Sequence, residues 1–250
     1  MSTKPAIVFG PGAWHSPDCF QLVRDELEKR GFETVGVTYP TVGAEPPTKG
    51  ISDDAAALRG VVEELVVQGK QVVCVVHSYG GLVGANAVKG LGFQQRAKEG
   101  KAGGIVMFVY LAAFVTPLGS SILSMLGGNW LPWMRPEGNY VYADTPAEIF
   151  YHDVPEEMQK KAVAGLPHQA IRSFTDPVDY EPWHEIECMY FFCEGDKAIP
   201  IAVQENMAKM LPGQTHFRTT ASHSPFLSQV DETVKGLELA AKVGQEKAGT

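Results

Sequence analysis

The amino-acid sequence predicts an α/β fold in which a mainly parallel sheet is flanked by helices and carries a small helical cap. Two features of the 250-residue chain lead to this prediction. Short runs rich in Val, Ile and Phe alternate with segments whose apolar residues recur every three or four positions. Residues 116–183, by contrast, contain no strand-like run and are too long for a loop in a compact domain. We therefore expect a core domain formed by residues 1–115 and 184–250, with residues 116–183 as the cap.

The predicted strands are six short apolar runs. Their alternation with amphipathic segments is typical of βα units, which build a parallel sheet with helices on both faces. In chain order the runs are Ala6–Phe9, Thr34–Thr38, Gln71–Val76, Gly104–Leu111, Met189–Cys193 and His216–Thr219.

Local capping signals indicate where the helices begin and end. Ser16 can cap a first helix that starts at Pro17 and ends before Gly31. Ser52 can cap a second helix, which Gly69 stops. Further helices are expected over Leu82–Val88, after Pro200 and over Phe226–Leu237, with a frayed tail beyond Val243.

Composition narrows the partners and the location that can be expected. The formal net charge is -8 without any basic run, which argues against nucleic acid or an anionic membrane as a partner. The first apolar run is too short for a signal peptide, and Ile105–Val115 is well below the ~20 residues of a membrane-spanning helix. We expect a soluble, cytoplasmic protein, and the sequence leaves its oligomeric state open, a homodimer included.

Cysteine and histidine spacing gives no sign of a disulfide or a metal site. The cysteines show no C-x-x-C spacing, and three of the four lie in strand-like runs, so free buried thiols in a reducing compartment are expected. No His-Glu-x-x-His or comparable spacing occurs, so a metal is not expected. The four residues are Cys19, Cys74, Cys188 and Cys193.

Ser78 stands where a predicted strand passes directly into a predicted helix, within His77–Gly81. A serine at such a turn presents its hydroxyl above the sheet, and small neighbouring residues let strand and helix approach closely. The N–H of Tyr79 and the helix dipole then point to the place where an oxyanion would form. An ordinary N-cap serine is the alternative. Val76 occupies a position where glycine is usual, and it requires local repacking.

A serine nucleophile needs a general base and a carboxylate that orients the base. Asp196 follows the fifth predicted strand directly, and His223 follows the sixth. Ser78, Asp196 and His223 should therefore share the edge where the parallel strands end, which is where ligands bind in such sheets. The weaker candidates are Asp176, Asp179 and Glu194 for the acid, and His77, His152, His168, His184 and His216 for the base.

The loop after the first strand, Gly10–Trp14, is expected to supply a second oxyanion donor. Its glycines let the backbone approach Ser78, and the N–H of Ala13 is the best candidate because Pro11 has none to donate. A plain βα turn is the alternative. Gly12 and Trp14 are expected to contact the substrate.

Aromatic and apolar residues of the cap are expected to line a substrate pocket. Trp130 and Trp133 are the main candidates, and the alternative for each is a place in the core of the cap. Further candidates are Met125, Leu126, Tyr140 and Phe150.

Four stretches of the chain together resemble the plant methylesterase and hydroxynitrile lyase branch of the α/β-hydrolase superfamily and its microbial relatives. The resemblance covers nearly the whole chain, and the Asp-Lys-x-Ile-Pro sequence is fairly specific to this branch. It implies the α/β-hydrolase fold and the hydrolysis of a small or medium hydrophobic ester without a cofactor. Members commonly carry His at the position of Pro11. The stretches are Gly12–Trp14, His77–Gly81, Cys193–Pro200 and Ser222–Phe226.

The leading functional prediction is a serine hydrolase that cleaves an ester, lactone or thioester through an acyl-enzyme. A carbon–carbon lyase and a small-ligand receptor on the same fold are the alternatives. By resemblance, the hydroxynitrile lyases carry Lys after the catalytic His and Thr in the oxyanion loop, whereas this chain has Ser224 and Gly12 there. Hydrolysis is therefore favoured. Epoxide hydrolase and dehalogenase chemistry needs a carboxylate where Ser78 stands.

Overall fold

The computed structural model describes residues 4–213 and 215–249, which form two sheets and the helices around them. The strands are β1 Ala6–Gly10, β2 Thr34–Gly36, β3 Gln71–His77, β4 Gly104–Leu111, β5 Met134–Glu137, β6 Tyr140–Ala143, β7 Gln169–Ala170, β8 Cys188–Cys193 and β9 His216–Thr219.

The main sheet has the order β2-β1-β3-β4-β8-β9, and all neighbouring strands in it are parallel. Each strand therefore ends at the same edge, which brings the residues after β1, β3, β8 and β9 together. All six predicted strands are present. The second is shorter than predicted and ends at Gly36 rather than Thr38.

The sheet separates two apolar cores. In β3, Val73 and Val75 face the layer that contains the first and last long helices, whereas Val72, Cys74 and Val76 face the opposite layer. Because β3 is buried on both faces, its sequence is a continuous apolar run rather than an alternating one. The predicted arrangement, a parallel sheet flanked by helices, is confirmed.

The α-helices differ from prediction mainly at their ends. They are α1 Gln21–Lys29, α2 Ile51–Val67, α3 Gly80–Ala87, α4 Phe93–Lys98, α5 Ile122–Met125, α6 Pro146–Phe150, α7 Glu156–Ala164, α8 Arg172–Thr175, α9 Ile201–Ala208, α10 Pro225–Ser228 and α11 Val230–Ala248.

Two predicted caps have different outcomes. Ser16 does cap a helical turn, but the turn is a 3-10 helix over Pro17–Phe20 that precedes α1. The predicted cap at Ser52 is wrong, because α2 already begins after Gly50. The Asp53 carboxylate accepts a hydrogen bond from the Gly50 N–H at 2.9 Å, so the cap lies two residues earlier.

The predicted frayed tail beyond Val243 is also wrong, because α11 continues to Ala248. Gly244 packs against β4 so closely that a Cβ there would lie 3.0 Å from the Cβ of Met107. Ala240 and Ala241 are buried on the same helix. Small residues thus let the end of α11 lie directly on the sheet, and this packing keeps the last turns helical.

The segment between β4 and β8, residues 112–187 and here called the inserted segment, contains strands as well as helices. The prediction that no strand interrupts this stretch is wrong, since β5, β6 and β7 form an antiparallel sheet. A turn at Gly138, whose φ of 58° is left-handed, joins β5 to β6. These strands have four residues or fewer, and β5 includes Pro136, so they carry little of the usual strand pattern.

Two further predictions concern cysteines and membranes. Cys19, Cys74, Cys188 and Cys193 are free, as predicted, although Cys19 is only half-buried. Within the described ranges, no helix has the length and apolar character required to cross a membrane.

Candidate active site

Ser78 lies at a sharp turn between β3 and α3. Its φ of 54° falls in the left-handed region, which costs a non-glycine residue on the order of 1 kcal/mol or more. The Ser78 carbonyl accepts hydrogen bonds from the N–H groups of Gly81 and Phe114 at 3.0 and 3.1 Å. The surrounding backbone therefore holds the serine in a conformation it would otherwise avoid.

Small residues after Ser78 let three backbone segments meet. A Cβ at Gly80 would lie 2.7 Å from the Pro11 carbonyl oxygen, and one at Gly81 would collide with the carbonyl of Phe114. Glycine at these two positions is required by the close approach of the loops that follow β1 and β4.

The branched side chain of Val76 fits because of a glycine one turn into α3. A Cβ at Gly84 would lie 2.7 Å from Cγ1 of Val76 and 2.6 Å from the ring of Phe108. Val76 is fully buried. In the usual pattern a glycine in the strand provides the space between strand and helix. Here Gly84 of α3 provides it instead.

His223 and Asp196 form a buried pair at the ends of β9 and β8. Nδ1 of His223 lies 2.7 Å from Oδ2 of Asp196, and both side chains are almost completely removed from solvent. The other carboxylate oxygen accepts from the N–H groups of Ala198 and Ile199 at 2.7 and 2.9 Å. These contacts suit an ionised Asp196 carboxylate that accepts a hydrogen bond from the N–H at Nδ1 of His223. Nε2 of His223 is then free to accept a proton.

Gln204 on α9 fixes the turn that carries Asp196. Its amide Nε2 donates to the carbonyls of Cys193 and Ile199 at 2.9 and 2.7 Å, and its Oε1 accepts from the Cys193 N–H at 3.0 Å. The side chain is fully buried. No recognised sequence pattern predicts a site role for Gln204. Its only signal is a polar residue three positions before Met207 on the buried face of α9.

His77 contacts His223 through a hydrogen bond to its backbone and through its ring. Nε2 of His77 donates to the backbone carbonyl of His223 at 2.8 Å, and the two imidazole rings lie 4.4 Å apart. Complete burial, followed by the positive charge that His223 can carry, holds the pKa of His77 well below its usual value. His77 therefore stays neutral beside the base.

The loop after β1 approaches Ser78 from the opposite side. A Cβ at Gly12 would lie 3.1 Å from Cβ of Ser78. The N–H of Trp14 donates to Oε1 of Gln169 at 2.8 Å, and the His15 N–H donates to the Gly12 carbonyl at 3.3 Å. No acceptor for the N–H of Ala13 occurs in the described part of the chain.

His15, which the sequence analysis did not select, lies beside this loop. Its Nδ1 donates to the Ala13 carbonyl at 2.7 Å, and its Nε2 accepts from the Tyr151 hydroxyl at 2.6 Å. Burial lowers the pKa of His15 to about 4, against the opposing effect of the hydrogen bond to Ala13. The imidazole is thus neutral and has a defined tautomer.

A buried polar network ties this loop to Tyr79 and to the inserted segment. Gln169 on β7 binds the Trp14 N–H and also donates to the hydroxyl of Thr41 at 2.5 Å. Thr41 donates to Asp54 at 2.5 Å, and the Tyr79 hydroxyl donates to the same carboxylate at 2.7 Å. Burial raises the pKa of Asp54 to about 6, although these hydrogen bonds oppose the shift.

Ser78 and His223 line the same small, mainly apolar cavity. Its free volume is about 20 Å³, which corresponds to roughly one water molecule. Of the residues predicted to contact the substrate, Gly12, Trp14 and Trp133 line it, together with Ala13 and Tyr79. Residues that sequence reasoning missed are His15, Phe114, Ile122, Leu131, Met134, Phe174, Ala198 and Ile199.

The other cap candidates have mixed positions. Leu126 and Phe150 line the cavity, whereas Trp130 does not and packs its ring against Phe174 at 5.6 Å. The Tyr140 hydroxyl donates to Glu45 at 2.9 Å, away from the cavity. Trp130 thus supports a cavity residue rather than the cavity itself.

The competing acids lie elsewhere. Asp179 is exposed, Asp176 forms an ion pair with Arg172, and Glu194 pairs with Arg218. Only Asp196 of the four candidate carboxylates contacts His223 among the described residues.

The chain belongs to the alpha/beta hydrolase family, because the sequence profile of that family matches residues 7–235. The protein "Alpha/beta hydrolase nvfD" of Aspergillus novofumigatus (strain IBT 16806) is 31% identical over 244 residues, which cover 95% of this chain and 97% of the relative. The predicted superfamily is therefore confirmed.

Solved structures show the same fold at lower identity. A pyrethroid hydrolase from Sphingobium faniae JZ-2 has a TM-score of 0.73 and 23% identity, with 97% of this chain and 99% of that chain covered. A methylesterase from Arabidopsis has a TM-score of 0.74 and 19% identity, with 95% and 99% covered. The α/β-hydrolase fold is confirmed, and family and relatives together support a hydrolase.

Proposed function

We propose that the protein is a serine hydrolase that cleaves a small or medium hydrophobic ester, lactone or thioester through an acyl-enzyme. The observation that carries this proposal is the buried His223–Asp196 pair at 2.7 Å, with His223 and Ser78 on the wall of the same cavity. Ser78 is the nucleophile, His223 the general base and Asp196 the residue that orients the imidazole.

The mechanism has two acyl-transfer steps. His223 takes the proton of Ser78 as the hydroxyl attacks the substrate carbonyl, and it returns that proton to the leaving group as the acyl-enzyme forms. A water molecule then gives a proton to His223 as it attacks the acyl group, and His223 passes that proton to Oγ of Ser78 as the acid leaves. Each step passes through an oxyanion. We assign its binding to the N–H groups of Ala13 and Tyr79, each of which can contribute ~10²- to 10³-fold.

The cavity wall favours an apolar substrate. Apart from Ser78 and two histidines, its side chains are mainly aromatic, aliphatic or Met. An uncharged ester can bind there without leaving a buried charge unpaired. The chemistry requires no cofactor, because the nucleophile, the base and the oxyanion donors are all supplied by the protein.

The same wall disfavours cyanohydrin cleavage. Within residues 4–213 and 215–249, no Lys or Arg side chain lines the cavity. Lys197, the cation next to Asp196 in sequence, is exposed and binds Glu148 at 3.3 Å. A departing cyanide would therefore meet no positive charge other than a protonated histidine.

The central test replaces Ser78 by alanine. We expect Ser78→Ala to lose at least ~10³-fold in the hydrolysis of p-nitrophenyl acetate, because no other group forms the acyl intermediate. Ser52→Ala, which removes an exposed hydroxyl on α2, serves as the control and should retain full activity. Intact-mass measurement should show an acyl adduct on the wild-type protein only.

Other outcomes point to the alternative functions. Undiminished ester hydrolysis by Ser78→Ala would refute the assignment of the nucleophile. Release of cyanide from mandelonitrile without any ester turnover would favour a lyase, and tight ligand binding without turnover would favour a receptor.

A further inference from the structure

A second, larger groove lies beside the cavity that Ser78 and His223 line. It has a volume of about 670 Å³ and runs between the start of α1 and helix α7. Its walls are mostly apolar and include Cys19, Leu22, Met158, Ala162 and Leu166. Leu22 is one of the few large apolar side chains in the described chain that remain exposed, at 39%. The groove therefore presents uncovered apolar surface next to the site.

The groove and the cavity share a lining residue. His15 lines both spaces, and Tyr151, which lines the groove, donates its hydroxyl hydrogen bond to His15 at 2.6 Å. Phe150, the neighbour of Tyr151, lines the cavity on the other side. The His15–Tyr151 pair therefore lies where the groove and the cavity come closest in the lining that they share.

The cavity beside Ser78 is much smaller than the groove. Its volume is about 20 Å³, whereas the groove offers about 670 Å³, so a long arm of a substrate finds more space in the groove. The outer wall is formed by α7, none of whose side chains is fully buried. Pro155 precedes this helix and Gly165 follows it.

The charges at the rim select against an ionised chain. Asp18 and Glu157 lie at the groove beside the single cation Lys161 among its described lining residues. A carboxylate tail would meet net negative charge, whereas a neutral hydrocarbon chain would cover Leu22 and Leu166. Each methylene buried there should improve binding about fourfold.

We propose that this groove binds an extended, neutral apolar chain of the substrate, so that the favoured substrates are esters with a long aliphatic arm. The chain reaches the ester carbon at Ser78 past the His15–Tyr151 pair. This inference rests on the proposed esterase function and adds a distal binding site to it.

The test compares p-nitrophenyl octanoate with p-nitrophenyl acetate. Wild-type protein should show a kcat/KM at least tenfold higher for the octanoate. In Ala162→Trp the indole fills the groove, and we expect the octanoate-to-acetate ratio of kcat/KM to fall at least tenfold. Ala164→Trp places the same side chain on the exposed face of α7 and should keep the wild-type ratio. Leu22→Asn, at the opposite wall, should lower the ratio without a bulky insertion.

The outcomes separate the two proposals. If the wild-type protein hydrolyses neither ester, the esterase function itself is refuted. Acetate turnover with no gain for octanoate, or an unchanged ratio in both Ala162→Trp and Leu22→Asn, would refute the groove alone. If the octanoate-to-acetate ratio fell equally in Ala164→Trp and Ala162→Trp, the effect would come from disturbance of α7, and the groove would again be refuted. Thermal unfolding of each variant identifies any that fails to fold.

Discussion

At the scale of single residues, burial determines which protonation states the site can hold. His15 and His77 are kept neutral by burial, and the carboxylate of Asp196 is surrounded by donors from Ala198, Ile199 and His223. The orientation of His223 is thus set from two sides, by Asp196 at Nδ1 and by His77 at its backbone carbonyl.

Replacing Asp196 by asparagine tests this orientation. Oδ1 of the amide can still accept from the Ala198 and Ile199 N–H groups, so the amide nitrogen will face Nδ1 of His223 and favour the wrong tautomer. We expect kcat for p-nitrophenyl acetate to fall on the order of 10³-fold or more, while unfolding by urea changes little. Asp179→Asn, at an exposed position, is the control. If Asp179→Asn lost its activity and Asp196→Asn kept it, the acid would be wrongly assigned.

The three proposed catalytic residues could be predicted because each directly follows a recognisable strand. Gln169 and Asp54 could not be predicted in the same way. Gln169 binds the Trp14 N–H across 155 positions of sequence, and Asp54 lies on a helix whose pattern shows only an acid near its first turn. Such contacts depend on how distant segments cross, which local spacing does not encode.

At the scale of elements, β3 and α3 pack closely because a large side chain on the strand, Val76, faces a glycine on the helix, Gly84. Val76 occupies the space that Gly84 leaves, and Phe108 of β4 fills the remainder. The sequence identified Val76 as a departure from the usual pattern but gave no sign of how it is accommodated. The partner is eight residues away on another element.

Gly84→Ala should therefore destabilise the protein although alanine favours helices. The added methyl would lie 2.7 Å from Val76 and 2.6 Å from Phe108, and we expect a loss of ~1–3 kcal/mol in the free energy of unfolding. Gly60→Ala in α2 is the matched control. A Cβ there meets nothing within 4 Å, so it should stabilise by ~0.5–1 kcal/mol.

A double variant identifies the contact that causes the loss. Val76→Ala combined with Gly84→Ala should cost less than the sum of the two single substitutions, as measured by urea unfolding. Additive losses would show that the methyl at position 84 does not press against Val76.

The inserted segment shows the limit of pattern reading for short elements. A strand such as β6, with four residues of which only Val141 is buried, lacks the length from which alternation is recognised. The long parallel strands were predicted because burial on both faces gives them unbroken apolar runs.

At the scale of the whole molecule, buried titratable groups make stability depend on pH. In the unfolded chain His15 takes up a proton near pH 6.5, whereas in the folded protein it does so only near pH 4. The free energy of unfolding therefore falls as the pH drops through that interval. His77 acts in the same direction. Asp54 acts in the opposite direction, because its pKa rises from 3.8 to about 6 on folding and its contribution to stability is lost as the pH rises through that window.

We expect the free energy of unfolding to fall between pH 6 and pH 5, by on the order of 1 kcal/mol, because the two histidines together outweigh Asp54. Asp54→Asn removes the opposing carboxyl, so the fall over the same interval should be larger in this variant than in the wild-type protein. Urea denaturation at both pH values measures the difference, with Asp179→Asn as a control that keeps the wild-type slope. Equal slopes in wild type and Asp54→Asn would contradict the raised pKa of Asp54.

The strand order also has a consequence for synthesis on the ribosome. β1 to β4 occupy contiguous positions and can pair as soon as Leu111 has been translated, but β8 joins β4 only after the whole inserted segment has followed. Until then β4, all of whose residues are buried in the finished protein, presents an unpaired apolar edge. A nascent chain that stalls within the inserted segment therefore carries a four-stranded part of the sheet that is prone to self-association, and chaperone binding during translation should concentrate on that interval.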